Sequence, residues 1–249
     1  MVSDEELAQL LRTAGRAVQA AIGGHRGRGL SGLRATQYHA DLVADAAAIE
    51  VLAAGGLRVL SEESGSSGEG DRVCVLDPID GSTNFDRGIP YYSTSMCVLD
   101  DLGMCCSLVA NLATDTWYEA TRGKGATRDG QAIAPSAATG FGGSIVSFSG
   151  FPGRHGGWAQ LRALGSAALE LCAVADGSLD GFAVVGTAQL SPWDYLGGLL
   201  VVQEAGGTVV DLDGTELVEA SASKHQLCAG GTEALARELA AFSRRPLDV

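Results

Sequence analysis

The chain has 249 residues, 46% hydrophobic and 19% charged, which is enough for a sizeable core and unlike a disordered or fibrous sequence. Its 17 basic against 30 acidic residues leave a net charge of −13, a field that repels phosphate backbones and anionic lipid and sets nucleic-acid scaffolds aside. No run of 18 apolar residues marks a membrane span, and the acidic opening Ser3-Asp4-Glu5-Glu6 is unlike a secretory leader.

In chain order, apolar residues at Leu7, Leu10, Leu11, Ala14, Val18 and Ala21 predict a helix over 4–22, with Ser3 or Asp4 as N-cap. The glycine-rich, basic stretch 23–32 ends it as a flexible loop. A second helix is predicted over 41–54, stopped by Gly55-Gly56, followed by a short strand over 57–60. Residues 64–70 are polar and rich in Gly and Ser, and read as a surface loop. The apolar run Val73 to Leu76 reads as a buried strand that delivers a carboxylate at its end. Strands and turns alternate over 93–133. Further strands are expected at 144–148, 181–185 and 208–210, with helices at 167–175, 193–204 and 233–242. The prediction is one continuous domain over 1–249, an α/β arrangement of mixed sheets layered with helices.

The six cysteines are scattered without a CxxC pair, and several lie in apolar runs where a thiol acts as a small hydrophobe. A reduced, cytoplasmic protein is the expectation. The four histidines share no metal-ligand spacing, and Cys105-Cys106 reads as core packing. Gly123-Lys124-Gly125 and Asp100-Asp101 read as turns, and no GxSxG elbow is present.

The most informative segment is Asp77-Pro78-Ile79-Asp80-Gly81-Ser82-Thr83-Asn84-Phe85. Pro78 biases Asp77 towards extended geometry, and Gly81 permits a tight turn. Two carboxylates at a strand end can then converge, while Ser82, Thr83 and Asn84 suit the start of a helix whose free N–H groups face the same place. A cation between those carboxylates and an anion reconciles the two charges, which makes a metal and phosphate site. Taken alone, Asp80-Gly81 also fits a simple turn. Glu62-Glu63-Ser64 brings another carboxylate to a strand end. Trp193-Asp194 opens an apolar helix, where Asp194 by itself reads as an N-cap. Asp41 by itself reads as an acid complementing a helix dipole.

Together these pieces resemble the inositol monophosphatase family of magnesium-dependent, lithium-sensitive phosphatases. The matching segments are Ala40-Asp41, Glu62-Glu63-Ser64, the block from Asp77 to Phe85, Gly88-Ile89-Pro90-Tyr91, Gly123-Lys124-Gly125-Ala126, Gly165-Ser166-Ala167-Ala168, and Trp193-Asp194 with Glu204-Ala205-Gly206-Gly207. They span about residues 5 to 240. The resemblance implies a layered α-β-α-β-α sandwich, a homodimer, and a small phosphorylated metabolite as partner, with neither nucleic acid nor membrane.

The resemblance also implies roles. Glu62, Asp77 and the carbonyl of Ile79 would hold one Mg²⁺, and Asp77, Asp80 and Asp194 a second, with a weaker third ion near Glu62. Such oxygen donors suit Mg²⁺. The nucleophile would be water that the metal activates, held by Ser82, whose hydroxyl Asp41 polarises; the family has threonine where this chain has Ser82. The N–H groups of Gly81, Ser82 and Thr83 would cradle the phosphate. Asp80, Gly165, Ser166, Ala167 and Asp194 would meet the alcohol.

The expected substrate is inositol 1-phosphate or a related small polyol or sugar phosphate. Histidinol phosphate and fructose 1,6-bisphosphate are the alternatives. The inositol enzymes carry a glutamate about seven residues before the WD aspartate; here that place holds Thr187, or Val184 with a gap. A non-catalytic metal-binding regulatory relative is the reading from another class.

Overall fold

A computed structural model describes residues 3–244. Helix α1 (Asp4–Ala21) starts at Ser3, whose hydroxyl accepts from Glu6 N–H while the Glu6 carboxylate accepts from Ser3 N–H. Its apolar stripe Leu7, Leu11, Ala14 and Val18 packs with α2 (His39–Ala54) into one core cluster. Between α2 and the next helix lie β1 (Arg58–Ser61), β2 (Gly65–Ser67) and β3 (Val73–Asp80). Residues 65–67, expected as loop, form a strand because the chain doubles back antiparallel onto β1. The strand expected over 73–76 runs on to Asp80, since pairing with the following strand resumes beyond Pro78.

The short helix α3 (Ser82–Arg87) leads to β4 (Ser93–Asp100), β5 (Gly103–Asn111), β6 (Thr116–Thr121), β7 (Gly125–Arg128) and β8 (Gln131–Ala132). These complete an eight-stranded sheet, order β2-β1-β3-β4-β5-β6-β7-β8, in which β1 and β3 are the parallel pair. A second sheet holds β9 (Ile145–Ser149), β10 (Gln160–Arg162), β11 (Gly181–Val184), β12 (Thr208–Asp211) and β13 (Leu227–Gly230), order β10-β9-β11-β13-β12. The remaining helices are α4 (Ala167–Ala175), α5 (Pro192–Ala205) and α6 (Glu233–Ser243).

The pleat assigns the layers. In β3, Cys74 and Leu76 face the α1–α2 cluster, while Val73 and Val75 join the cluster built on α4 and α5. That middle cluster also takes Phe182 and Val184 of β11, whereas Ala183 turns to the α6 side with Phe148, Leu235 and Leu239. Helix pair, sheet, helix pair, sheet and helix therefore stack as the expected five layers. All six cysteines are free and buried, and among the described residues no helix is long and apolar enough to cross a membrane.

Candidate active site

The parallel register of β1 on β3 builds the first half of the site. Ser61 lies opposite Leu76, so the next residue, Glu62, comes beside Asp77, and Glu62 N–H donates to Leu76 O at 3.1 Å. β3 then breaks step with β4: Asp77 pairs with Ser95 and Asp80 with Ser93, so Pro78 and Ile79 together oppose Thr94. Proline has no N–H to give a ladder, and a bulge here re-aims the two aspartates. The Ile79 side chain is buried in the α1–α2 cluster.

α5 supplies the third acid. Ser191 is its N-cap and Asp194 lies three positions on, where Asp194 Oδ2 accepts Ser191 N–H at 2.6 Å. Asp194 is thus not the N-cap itself. Asp41 stands in the same relation to α2, its Oδ2 accepting Tyr38 N–H at 2.8 Å. In each, one oxygen is committed to the helix start.

Single carboxylate oxygens of Glu62, Asp77 and Asp194 all lie within 4.8 Å of one another. Asp77 Oδ1 and Asp41 Oδ1 are buried with no hydrogen-bond partner. Burial, then repulsion by neighbouring carboxylates, raises Glu62 to about 8 and Asp77 well above the carboxylate range, and burial raises Asp80 to about 7 against the hydrogen bond from Ser166. Asp41 is lifted to about 7, chiefly by burial, and lies within electrostatic reach of Glu62 and Asp77. Burial lifts Asp194 to about 6 against the hydrogen bond from Ser191 N–H and, less strongly, the charge of Lys224.

Asp80 is held differently. Its Oδ2 accepts the Ser166 hydroxyl and Ala168 N–H, both at 2.7 Å. Ser166 and Ala168 thus brace Asp80 through hydroxyl and backbone, and Ala167 between them lies buried in the middle core. The N-cap of α3 is Gly81, in the left-handed region at φ 90°, and Ser82 is the first helical residue. A Cβ at Gly81 would come within 2.8 Å of Gly165 O, so only glycine lets the two loops meet. Asn84 ties them further, its Nδ2 donating to Tyr91 O at 2.8 Å and Leu164 O at 2.7 Å. Thr83 Oγ1 lies 3.1 Å from the Tyr38 hydroxyl. Ser82 and Asp41 make no hydrogen bond to each other.

Glu170 was missed by sequence reasoning. It is buried inside α4, accepting the Ser147 hydroxyl and, at 3.1 Å, Leu164 N–H, and so fixes the loop that braces Asp80. A lone acid in the apolar stretch Ala167–Ala175 was the available signal, because a fully buried glutamate demands partners.

A model of the inositol monophosphatase family matches residues 4–245. The chain belongs to that family. It is on this ground a phosphoric monoester hydrolase. The fructose-1,6-bisphosphatase/inositol-1-monophosphatase of Archaeoglobus fulgidus is 40% identical over 184 residues, 72% of this chain and 71% of that one. The Nus factor SuhB of Escherichia coli K12 is 35% identical over 173 residues, 63% of each chain. Among solved structures, a hypothetical protein from Pyrococcus horikoshii with similarities for inositol-1 monophosphatase superposes with TM-score 0.83 at 26% identity, covering 97% of this chain and 98% of its own.

Proposed function

We propose that the protein hydrolyses small phosphate monoesters with Mg²⁺, releasing inorganic phosphate. The observation that carries the reading is the trio Glu62, Asp77 and Asp194 within 4.8 Å, with one buried Asp77 oxygen lacking a partner. Three hard oxygen donors, one of them on the carboxylate with an unpartnered oxygen, fit a small divalent cation, and a cation relieves the repulsion that helps to raise the proton affinity of Glu62 and Asp77.

Glu62, Asp77, Asp194 and Asp80 would hold two or three ions, with the Ile79 carbonyl as a further donor. Bound Mg²⁺ supplies charge neutralisation at the phosphoryl oxygens and a more acidic water. The chain's own groups do the rest. Gly81, Ser82 and Thr83 orient the phosphate at the start of α3 through their N–H groups. The Ser82 hydroxyl would hold the attacking water in line, and Asp41, whose Oδ1 is buried without a partner, would take up the proton relayed through Ser82. Asp80, braced by Ser166 and Ala168, stays fixed as charge builds on the ester.

Inositol 1-phosphate or a related polyol phosphate is the substrate that the family likeness suggests; histidinol phosphate and fructose 1,6-bisphosphate are the alternatives. Inhibition by lithium and pairing of like subunits belong to the same reading and rest on the resemblance. The likeness to SuhB favours one second reading, a regulatory relative that binds metal without turnover. Phosphate release from a panel of these esters, with Mg²⁺ and with EDTA, separates the two. Mg²⁺-dependent release from one ester supports the enzyme; none, in a folded protein stabilised by Mg²⁺, supports the regulator.

A further inference from the structure

Strands β10, β9 and β11 run side by side and parallel, so their C-terminal ends open on one edge of the second sheet. The loop leaving β10 carries Ser166, whose hydroxyl holds Asp80. The loop leaving β11 reaches Ser191, whose N–H holds Asp194. β9 lies between them, so its own outgoing loop borders the same crevice, where parallel strands take their ligands. The loops touch: Val185 N–H donates to Ser149 O at 2.9 Å, and a Cβ on Gly150 would lie 3.0 Å from that of Ala188. Gln226 fixes the other side of the turn, donating to Gly186 O at 2.9 Å and Ala188 O at 2.8 Å.

The β9 loop carries Phe151, 79% exposed, whose carbonyl oxygen lies 3.4 Å from where a Cβ on Gly186 of the neighbouring loop would stand. The core had taken what it needed from this loop: Trp158 is buried against Phe141, Phe148 and Phe242, and Arg154 stacks over Phe242 and donates to its carbonyl at 2.6 Å. The loop from β11 brings no carboxylate before Asp194. Val184 is buried in the middle core and Thr187 is exposed and neutral. A polyol ring needs acceptors for its hydroxyls, and a loop without them forfeits the discrimination it could give. An aromatic ring offers apolar area and a π face instead.

Resting on the phosphatase reading above, and departing from the polyol that the family likeness suggests, we propose that Phe151 determines specificity at the rim, selecting phosphate monoesters of alcohols that carry an aromatic or flat apolar group over those of polyols. The test compares 2-phenylethyl phosphate with glycerol 2-phosphate on the full chain with Mg²⁺. The expected kcat/KM favours the aromatic ester by about tenfold, and Phe151→Ser lowers that ratio about tenfold, mainly through KM, with Phe151→Leu in between. A ratio of one or less, or a ratio unchanged in Phe151→Ser, overturns the inference while leaving the phosphatase reading intact. An unchanged ratio with a smaller species on gel filtration overturns it too, by making Phe151 a contact between copies. Release from neither ester overturns both.

Discussion

Two clusters rich in acids behave in opposite ways. At Glu62, Asp77 and Asp194 the carboxylates crowd one another, every proton affinity is raised, and an Asp77 oxygen has no partner. Around His225 the demand is met. Glu219 Oε1 lies 2.8 Å from Nε2 and Asp211 Oδ1 3.5 Å from Nδ1, while Asp211 Oδ2 accepts Asp213 N–H, Thr215 N–H and the Thr215 hydroxyl. Hydrogen bonds from Ser223 and then His225 hold the Glu219 carboxyl below its usual range. A satisfied cluster holds a loop in place; an unsatisfied one costs stability until something binds.

The contrast breaks first at Asp77. Asp77→Asn should cut Mg²⁺-dependent phosphate release by about a thousandfold or more, while the metal-free melting temperature holds or rises, because a crowded acid has been removed. A phosphate assay beside a thermal melt reads both; a variant that still turns over would put the metal elsewhere. Ser82→Ala should cost about ten- to a hundredfold in kcat with Mg²⁺ binding retained, and Ser82→Thr should stay near wild type, as a general acid–base relay through a hydroxyl requires. Undiminished release from Ser82→Ala would remove the hydroxyl from the mechanism.

At the other cluster the loss should be of stability. His225→Leu removes the partner that Asp211 and the partly exposed Glu219 share and should cost about 1 kcal/mol in urea unfolding, with the stabilisation by Mg²⁺ intact. If Mg²⁺ no longer raised its melting temperature, the two clusters would not be separate. The smallest effect is on pH. The site acids have folded pKa values raised above their unfolded ones, to about 6 for Asp194, 7 for Asp80 and 8 for Glu62. Their protonated forms therefore stabilise the metal-free fold fully below the ordinary carboxylate range, and that contribution is lost as pH rises through 6 to 8. Glu219, lowered instead, has the opposite sign and loses stability as pH falls. Mg²⁺ competes with the protons of the site, so its upshift in melting temperature should be larger by about a few degrees at pH 8.5 than at pH 6.0. Equal shifts would mean that these acids are not the ligands.

Much of this was legible in residue order. Helix α4 is found at its expected bounds, and α1, α5 and α6 within one or two residues, because apolar spacing and capping are local signals. β2 was not, since Gly65-Ser66-Ser67 has no pattern of its own and is a strand only because β1 lies beside it. β10 and β13 were missed in the same way, as three- and four-residue elements defined by their neighbours. At the site, the Asp77-to-Phe85 block announced a convergence of carboxylates, and Glu62 and Asp194 were recognised by resemblance. Their meeting, and the bracing of Asp80 by Ser166 and Glu170, depend on register and loop contacts that no local pattern encodes. Asn84 reads as a capping residue but binds two distant carbonyls instead.

The site draws Asp41 from the outer helix pair, Glu62 and Asp77 from the first sheet, and Asp194 from the helices between the sheets. No fragment limited to one sheet contains it, so half-folded chains with either sheet alone would lack a ligand. Because such long-range contacts form late and slowly, recovery of phosphate release during refolding should lag behind the return of helical signal, so that catalysis reports the docking of the last layer.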